Sequence, residues 1–446
     1  AMARGHRRGL LRDETAHEDP LMAGDPYAPG SGNLGYGVDH YDLDLRYKPS
    51  TNRLEGVATI TATSTEALTS VTFDLARLTV GKVRMRDARG TRFRQTPTKL
   101  TVTPAAAIPA GAEFVVTIEY AGAPRPRRTQ WGLVGWEELD DGVIVASQPT
   151  GAPSWFPCND AVGDRATYSI RVSVDQAYSV ITNGELVDLR IAAGRGHWHY
   201  RQTEPTSTYL ATVQIGRYEL ERTAYGTLAF PAALRERVRA DAAGIPAMMA
   251  LFEARFGPYP FGSYTVIVTP DDLEIPLEAH GLAIFGANHM DGKGVEERLV
   301  AHELAHQWFG NSVGLARWQD IWLNEGFACY AEWLWSEHRG GPTADALAAQ
   351  HHRRLVTESQ DLVIGDPGPS SMFDDRVYKR GALTLHAVRR ELGDRVFFEL
   401  LPRWTAEHRH GSVTTDDFRA LVAEVAGRPL DDLFDRWLLA AALPTR

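Results

Sequence analysis

The sequence predicts an α+β protein, with an all-β first half and a mainly helical second half. Three observations carry this. Apolar residues alternate with polar ones in short runs up to about residue 220. Beyond about residue 225 the apolar spacing becomes three and four. Gly, Pro and Asp separate the runs throughout, as turn residues do.

Taken in order, residues 1–35 are polar and rich in Gly and Pro, and are read as an N-terminal tail. The basic cluster Arg4, Arg7, Arg8 and Arg12 lies in it, a solvated tail or else a docking arm. Tyr41, Leu43, Leu45 and Tyr47 then alternate with polar residues. So do Val71, Phe73 and Leu75; Phe114, Val116, Ile118 and Tyr120; Tyr168, Ile170, Val172 and Val174; and Tyr209, Ala211, Val213 and Ile215. Period two puts each set on one face of a strand, so residues 36–222 are expected to form antiparallel strands with one buried face. In the second domain, residues 223–446, Met248, Phe252 and Phe256 share a helix face, and Gly257 is placed to end that helix. One more strand, "YTVIVTP", is read at residues 264–270. The rest reads as helices to the end. Among them, Thr414 and Asp417 form a capping box ahead of Phe418, Leu421, Val422 and Val425.

The composition excludes several classes. Forty-seven Lys and Arg stand against 57 Asp and Glu, a net charge of −10, so no nucleic acid partner is expected. No apolar run approaches the roughly 18–20 residues of a membrane span. Positive residues near the N-terminus are followed by no apolar stretch, so no intact signal peptide is read. Cys158 and Cys329 make no disulfide framework and are read as packing residues. A cytoplasmic location is the expectation, with secretion as the alternative if a leader has been removed.

The chemistry concentrates in "AHELAHQWFGNSVGLARWQDIWLNEGF", residues 301–327. His302 and His306 lie one helical turn apart on one face and could both reach one metal ion. Imidazole suits zinc, whose catalytic sites take three protein ligands and keep one position for water. Glu303 lies beside the first histidine, where a general base for that water belongs. The third ligand must come from elsewhere, and Glu325, after 18 intervening residues, is the candidate. Glu332, two turns further on, could accept a hydrogen bond from a ligand histidine and fix its tautomer. A bare His-Glu-x-x-His also occurs by chance; the apolar flanks and the spacing to Glu325 favour the metal reading.

These motifs, His302-Glu303-Leu304-Ala305-His306 and Trp322-Leu323-Asn324-Glu325-Gly326-Phe327, resemble the zinc site of the aminopeptidase N family, peptidase family M1. The resemblance runs from "HYDLDLRY" near residue 40 to "FDRWLLAAALP". It implies a saddle-shaped β domain, then a thermolysin-like catalytic domain holding one Zn²⁺ per chain and acting on a peptide. It also implies roles for three further residues. Glu278, in "IPLEAHG", matches the glutamate that binds the substrate's α-ammonium. Gln148, in "SQPTGAPSWFPCND", matches a second contact to that amine. Tyr378, in "VYKRGALTLH", matches the tyrosine that donates to the oxyanion of the tetrahedral intermediate.

Two departures stand out. The family's Gly-x-Met-Glu-Asn motif reads Ile-Pro-Leu-Glu-Ala here, so Ala279 replaces its final asparagine. A weaker amine anchor, with greater tolerance of blocked or internal peptide bonds, is the expectation. The helical domain that roofs the cleft in larger relatives has no counterpart before Arg446, so the cleft is expected to be more open. A zinc aminopeptidase is therefore the leading reading. A mixed amino- and endopeptidase is its enzymatic alternative, and a catalytically silent peptide-binding module is the alternative of another class. Oligomeric state is not legible.

Overall fold

The alternating runs become a seven-stranded sheet in the computed structural model, which describes residues 24–86 and 90–445. Its order is Glu185–Ala192, Arg195–Ser207, Arg165–Asp175, Tyr36–Lys48, Arg53–Ser64, Glu113–Gly122 and Thr79–Met85. Tyr41, Leu43, Leu45 and Tyr47 are all buried, while their even-numbered neighbours on the other face stay wetter. A five-stranded sheet containing Gly142–Ala146 and Val213–Gly216, and a three-stranded sheet containing Val71–Asp74 and Lys99–Thr103, turn their apolar faces to the same core. Burying each of these large side chains contributes roughly 1.5–3 kcal/mol.

The expectation of antiparallel strands throughout needs correction. Tyr36–Lys48 runs antiparallel to Arg53–Ser64 but parallel to Arg165–Asp175, with Leu43 opposite Ile170. Parallel neighbours need a long crossover, and the strands between residues 48 and 165 supply it.

The second half is also less purely helical than its periodicity suggests. Tyr264–Val268 is a strand, but it sits inside a five-stranded mixed sheet: Glu219–Arg222, Gly226–Phe230, Tyr264–Val268, Leu282–Phe285, Leu277–Ala279. Every residue of Leu282–Phe285 is buried, so the strand shows no alternation to read. Ile245–Phe256 is the helix carrying Met248, Phe252 and Phe256, and Gly257 ends it at φ 94°. The Thr414–Asp417 capping box starts Thr415–Ala426. Cys158 and Cys329 are both buried and unbonded to each other.

Residues 24–35, expected as tail, pack as a strap over both halves. Trp318 N donates to Asp25 Oδ2 at 2.6 Å. Tyr27 is buried, its hydroxyl bonded to Asp366 and accepting from Gly368 N at 2.8 Å. On the β side, Gly32 N and Asn33 Nδ2 donate to Asp74 Oδ2 at 3.1 and 2.8 Å. The basic cluster from Arg4 to Arg12 lies outside the described residues. Among the described residues no helix is long and apolar enough to cross a membrane.

Candidate active site

Three helices, one edge strand and a loop of the β domain converge on the expected residues. The helix Glu297–Ala305 carries His302 and Glu303 in its last turn, with His306 capping its C-terminal end. That end bears the negative pole of the helix, which favours a cation. Trp322–His338 carries Glu325 in its first turn, where the positive pole suits a carboxylate. Gly310, at φ 112°, lets the chain double back between the two helices.

The ligand atoms meet closely. His302 Nε2 lies 3.5 Å and His306 Nε2 3.4 Å from Glu325 Oε2. Each histidine's other nitrogen is occupied: His302 Nδ1 is 2.8 Å from Glu332 Oε1, and His306 Nδ1 is 3.0 Å from the Phe309 carbonyl. With Nδ1 donating, both Nε2 lone pairs face Glu325.

The donor set passes a chemical test for a divalent metal. Burial disfavours imidazolium, yet hydrogen bonds with Glu325 and Glu332 hold His302 up at about 9. For His306 the charges of Glu278 and Glu325 outweigh burial and raise it to about 10. The pocket is thus rich in negative charge and demands a cation. Two neutral imidazoles and a carboxylate with restrained second nitrogens suit zinc.

Around this triad stand the other expected residues. Glu303 is buried, and its Oε2 has no hydrogen-bond partner in the protein. Burial pushes its carboxyl up to about 7. A carboxylate oxygen of Glu278 lies within 4.8 Å of the corresponding atoms of Glu303 and His306. Gln148 Nε2, from the β domain, donates to Glu278 Oε1 at 2.7 Å. Burial raises the Tyr378 phenol well above its ordinary value, and the Glu325 charge adds to this, so it stays a neutral donor. Its ring stacks on His302 with centroids 6.2 Å apart. All eight expected residues are therefore brought together. His280, next to them in sequence, is not: it is fully buried against Phe261, at 4.1 Å between ring centroids.

Several positioning residues escaped the sequence reading. Gln307 ties the metal helix to the Glu278 strand, accepting from Gly281 N at 2.9 Å and donating to the Ala279 carbonyl at 3.2 Å. Asn311 Nδ2 donates to the same carbonyl at 2.8 Å. Gly326 and Gly381 meet where Trp322–His338 crosses Asp375–Leu392: a Cβ on either would fall 2.9 Å from the other's backbone. Arg380 fastens the tyrosine helix to the C-terminal segment, donating to the carbonyls of Trp437 and Ala441 at 2.7 Å each. None of these carries a periodic or spacing signal.

Fold and site together define a class: a β domain set against a second domain that presents a buried two-histidine, one-glutamate candidate metal site with two further carboxylates, Glu303 and Glu278, at hand. The chain belongs to peptidase family M1. The family's N-terminal domain matches residues 38–210, and the Peptidase family M1 domain matches residues 243–437. A crystal structure of an M1 zinc metallopeptidase mutant from Deinococcus radiodurans superposes with a TM-score of 0.84 at 30% identity, covering 95% of this chain and 98% of that one. The same mutant bound to a Tyr-Ser-Ala substrate gives 0.83. Aminopeptidase M1-A of Oryza sativa subsp. japonica is 26% identical over 69% of this chain and 38% of its own length. Human endoplasmic reticulum aminopeptidase 1 is 25% identical over 86% of this chain and 45% of its own length. The chain thus spans less than half the length of the curated relatives it matches.

Proposed function

We propose that this chain is a zinc-dependent aminopeptidase, hydrolysing the N-terminal residue from peptides. The observation that carries the reading is the Gln148–Glu278 pair beside the metal triad, with a Glu278 oxygen within 4.8 Å of Glu303 and His306. A half-buried carboxylate so close to the hydrolytic groups, bonded to an amide that also offers a carbonyl oxygen, suits a substrate's free α-ammonium. Holding that amine fixes which peptide bond reaches the centre, so one residue is removed at a time.

His302, His306 and Glu325 would hold the zinc, which when bound would supply a Lewis acid and lower the pKa of water. The protein's own groups do the rest. Glu303, with a carboxyl near neutrality and one oxygen unpartnered, takes a proton from the attacking water and returns it to the leaving amine. Tyr378 donates its phenolic hydrogen to the oxyanion as charge develops there. Glu332 and the Phe309 carbonyl hold both imidazoles in their ligating tautomers.

Ala279 bears on the alternative of mixed amino- and endopeptidase action. Its methyl packs in a small apolar cluster with Ile181 and Leu282, and its carbonyl is taken by Gln307 and Asn311. Position 279 therefore serves the strand, and the anchor rests on Glu278 and Gln148. The test is cleavage of a free peptide and its N-acetylated twin by wild type and by Glu303→Gln, with bound zinc measured in both. The expected result is cleavage of the free peptide alone, reduced about 10²–10⁴-fold in Glu303→Gln with zinc retained. Equal cleavage of the acetylated twin sinks the aminopeptidase reading. Zinc-loaded wild type that cuts neither peptide favours the silent module.

A further inference from the structure

The seven-stranded sheet ends on one side in Glu185–Ala192. Among the described residues its only strand partner is Arg195–Ser207. Its first seven residues are all exposed. Leu189 and Ile191 lie opposite Trp198 and Gly196, which face the core. At 44% and 56% exposure they carry the sheet's apolar face past the point where the core covers it. Asp188 and Arg190, opposite His199 and His197, occupy the other face. An edge of this kind presents unpaired backbone donors and acceptors, a template for another strand. It has no Pro or Lys to block pairing; a bulge at Val187 leaves Asp188–Ala192 as the regular stretch.

We propose that the chain self-associates through this edge, Glu185–Ala192 of one protomer pairing antiparallel with the same strand of its partner, so that two seven-stranded sheets become one. The argument lies in the register. A two-fold axis that keeps both apolar faces on the same side is perpendicular to the sheet, so it passes through a residue position and not between two. Centred on Asp188 or on Arg190, it sets like charges directly opposite each other. Centred on Ile191, it leaves both charges without an opposite. Centred on Leu189, it sets Leu189 against its own copy and Asp188 against the partner's Arg190, twice per dimer. The stretch Asp188-Leu189-Arg190 is thus self-complementary in both charge and apolar character, and directly opposed cross-strand pairs are where such complementarity acts.

So short a ladder buries less than the roughly 1,200–2,000 Å² of a stable interface, which makes the dimer weak and concentration-dependent. Sedimentation velocity from about 1 to about 300 μM spans the range in which such an interface forms. Wild type should shift toward dimer as concentration rises. Asp188→Arg and Arg190→Asp should each weaken association roughly tenfold or more, since two opposed pairs turn from attractive to repulsive. The combined swap, Asp188→Arg with Arg190→Asp, should restore it. Both positions are exposed and outside the active site, so peptide cleavage by each variant serves as the check on folding. A wild type that stays monomeric throughout overturns the proposal. So does a dimer indifferent to the single swaps, which places the contact elsewhere, or a combined swap that fails to recover.

Discussion

Gly381→Ala tests whether the crossing of two helices sets the active-site geometry. Gly381 lies one turn after Tyr378 on Asp375–Leu392, and Gly326 directly follows Glu325 on Trp322–His338. A Cβ on Gly381 would sit 2.9 Å from Gly326 Cα. Carbon atoms in good contact stand about 3.5–4.0 Å apart. Relieving the clash therefore opens the crossing by roughly 0.6–1.1 Å, and neither backbone can swing away as a flexible side chain would. Overpacking of this sort costs about 1–3 kcal/mol, which a protein of this size survives. The same displacement moves the Tyr378 hydroxyl relative to the metal triad, and a misplacement near 1 Å costs about 10²-fold in rate. His302, His306 and Glu325 are untouched by the substitution, and Glu278 and Gln148 stand on other elements. The expected outcome is kcat down about 100-fold, KM nearly constant and zinc content unchanged. Steady-state kinetics on an aminoacyl-fluorophore substrate, metal analysis and a thermal melt read all three. A folded, zinc-loaded Gly381→Ala with kcat within threefold of wild type would refute the reasoning.

Three further predictions follow from the same geometry. Tyr378→Phe should lower kcat about 10²–10³-fold with KM and zinc content little changed, because one oxyanion donor is lost; an unaltered kcat removes Tyr378 from the chemistry. Glu332→Ala should weaken zinc binding about 10–100-fold in chelator competition, because His302 Nδ1 loses its 2.8 Å acceptor. Glu332→Gln should fall between, since an amide carbonyl still accepts, and wild-type affinity in both variants would contradict the orienting role. Asp164 concerns stability and pH. Burial lifts its carboxyl from 3.8 to about 7, against hydrogen bonds from Val38 N and Asn159. The folded state therefore holds the proton more tightly than the unfolded chain. Its contribution is full below about 4 and is lost as pH rises through about 7, at most about 4 kcal/mol at 1.36 kcal/mol per pH unit. Urea midpoints of Asp164→Asn relative to wild type should rise across that window, and a pH-independent difference would contradict the assignment.

What could be read in advance depended on whether a feature is local. Alternation along Tyr41–Tyr47 or Phe114–Tyr120 named the buried face, because period two is a property of one strand. It could not say that Tyr36–Lys48 pairs in parallel with Arg165–Asp175, since pairing partners leave no trace in alternation. Leu282–Phe285 shows the reverse limit: buried on both faces, it has no period and passed unseen. Within each helix of the candidate metal site, the pairs of polar residues were legible for the same local reason. One turn separates His302 from His306, and two turns separate Glu325 from Glu332. Gln148 and Glu278, 130 residues apart, were reached only through the family resemblance. The Gly326–Gly381 contact depends on how two helices cross, which no single-helix pattern contains.

The strap gives the chain an order of events in time. Asp25 and Tyr27 leave the ribosome well before their partners Trp318 and Gly368, which lie 293 and 341 residues later. At roughly 5–20 residues per second, synthesis takes on the order of 15–70 s to deliver them. Throughout that interval the β domain can complete its sheets and take up Gly32 and Asn33 at Asp74, while the Asp25–Tyr27 end of the strap waits undocked. Its closure is then a late event that registers the arrival of the loop leading into the tyrosine helix.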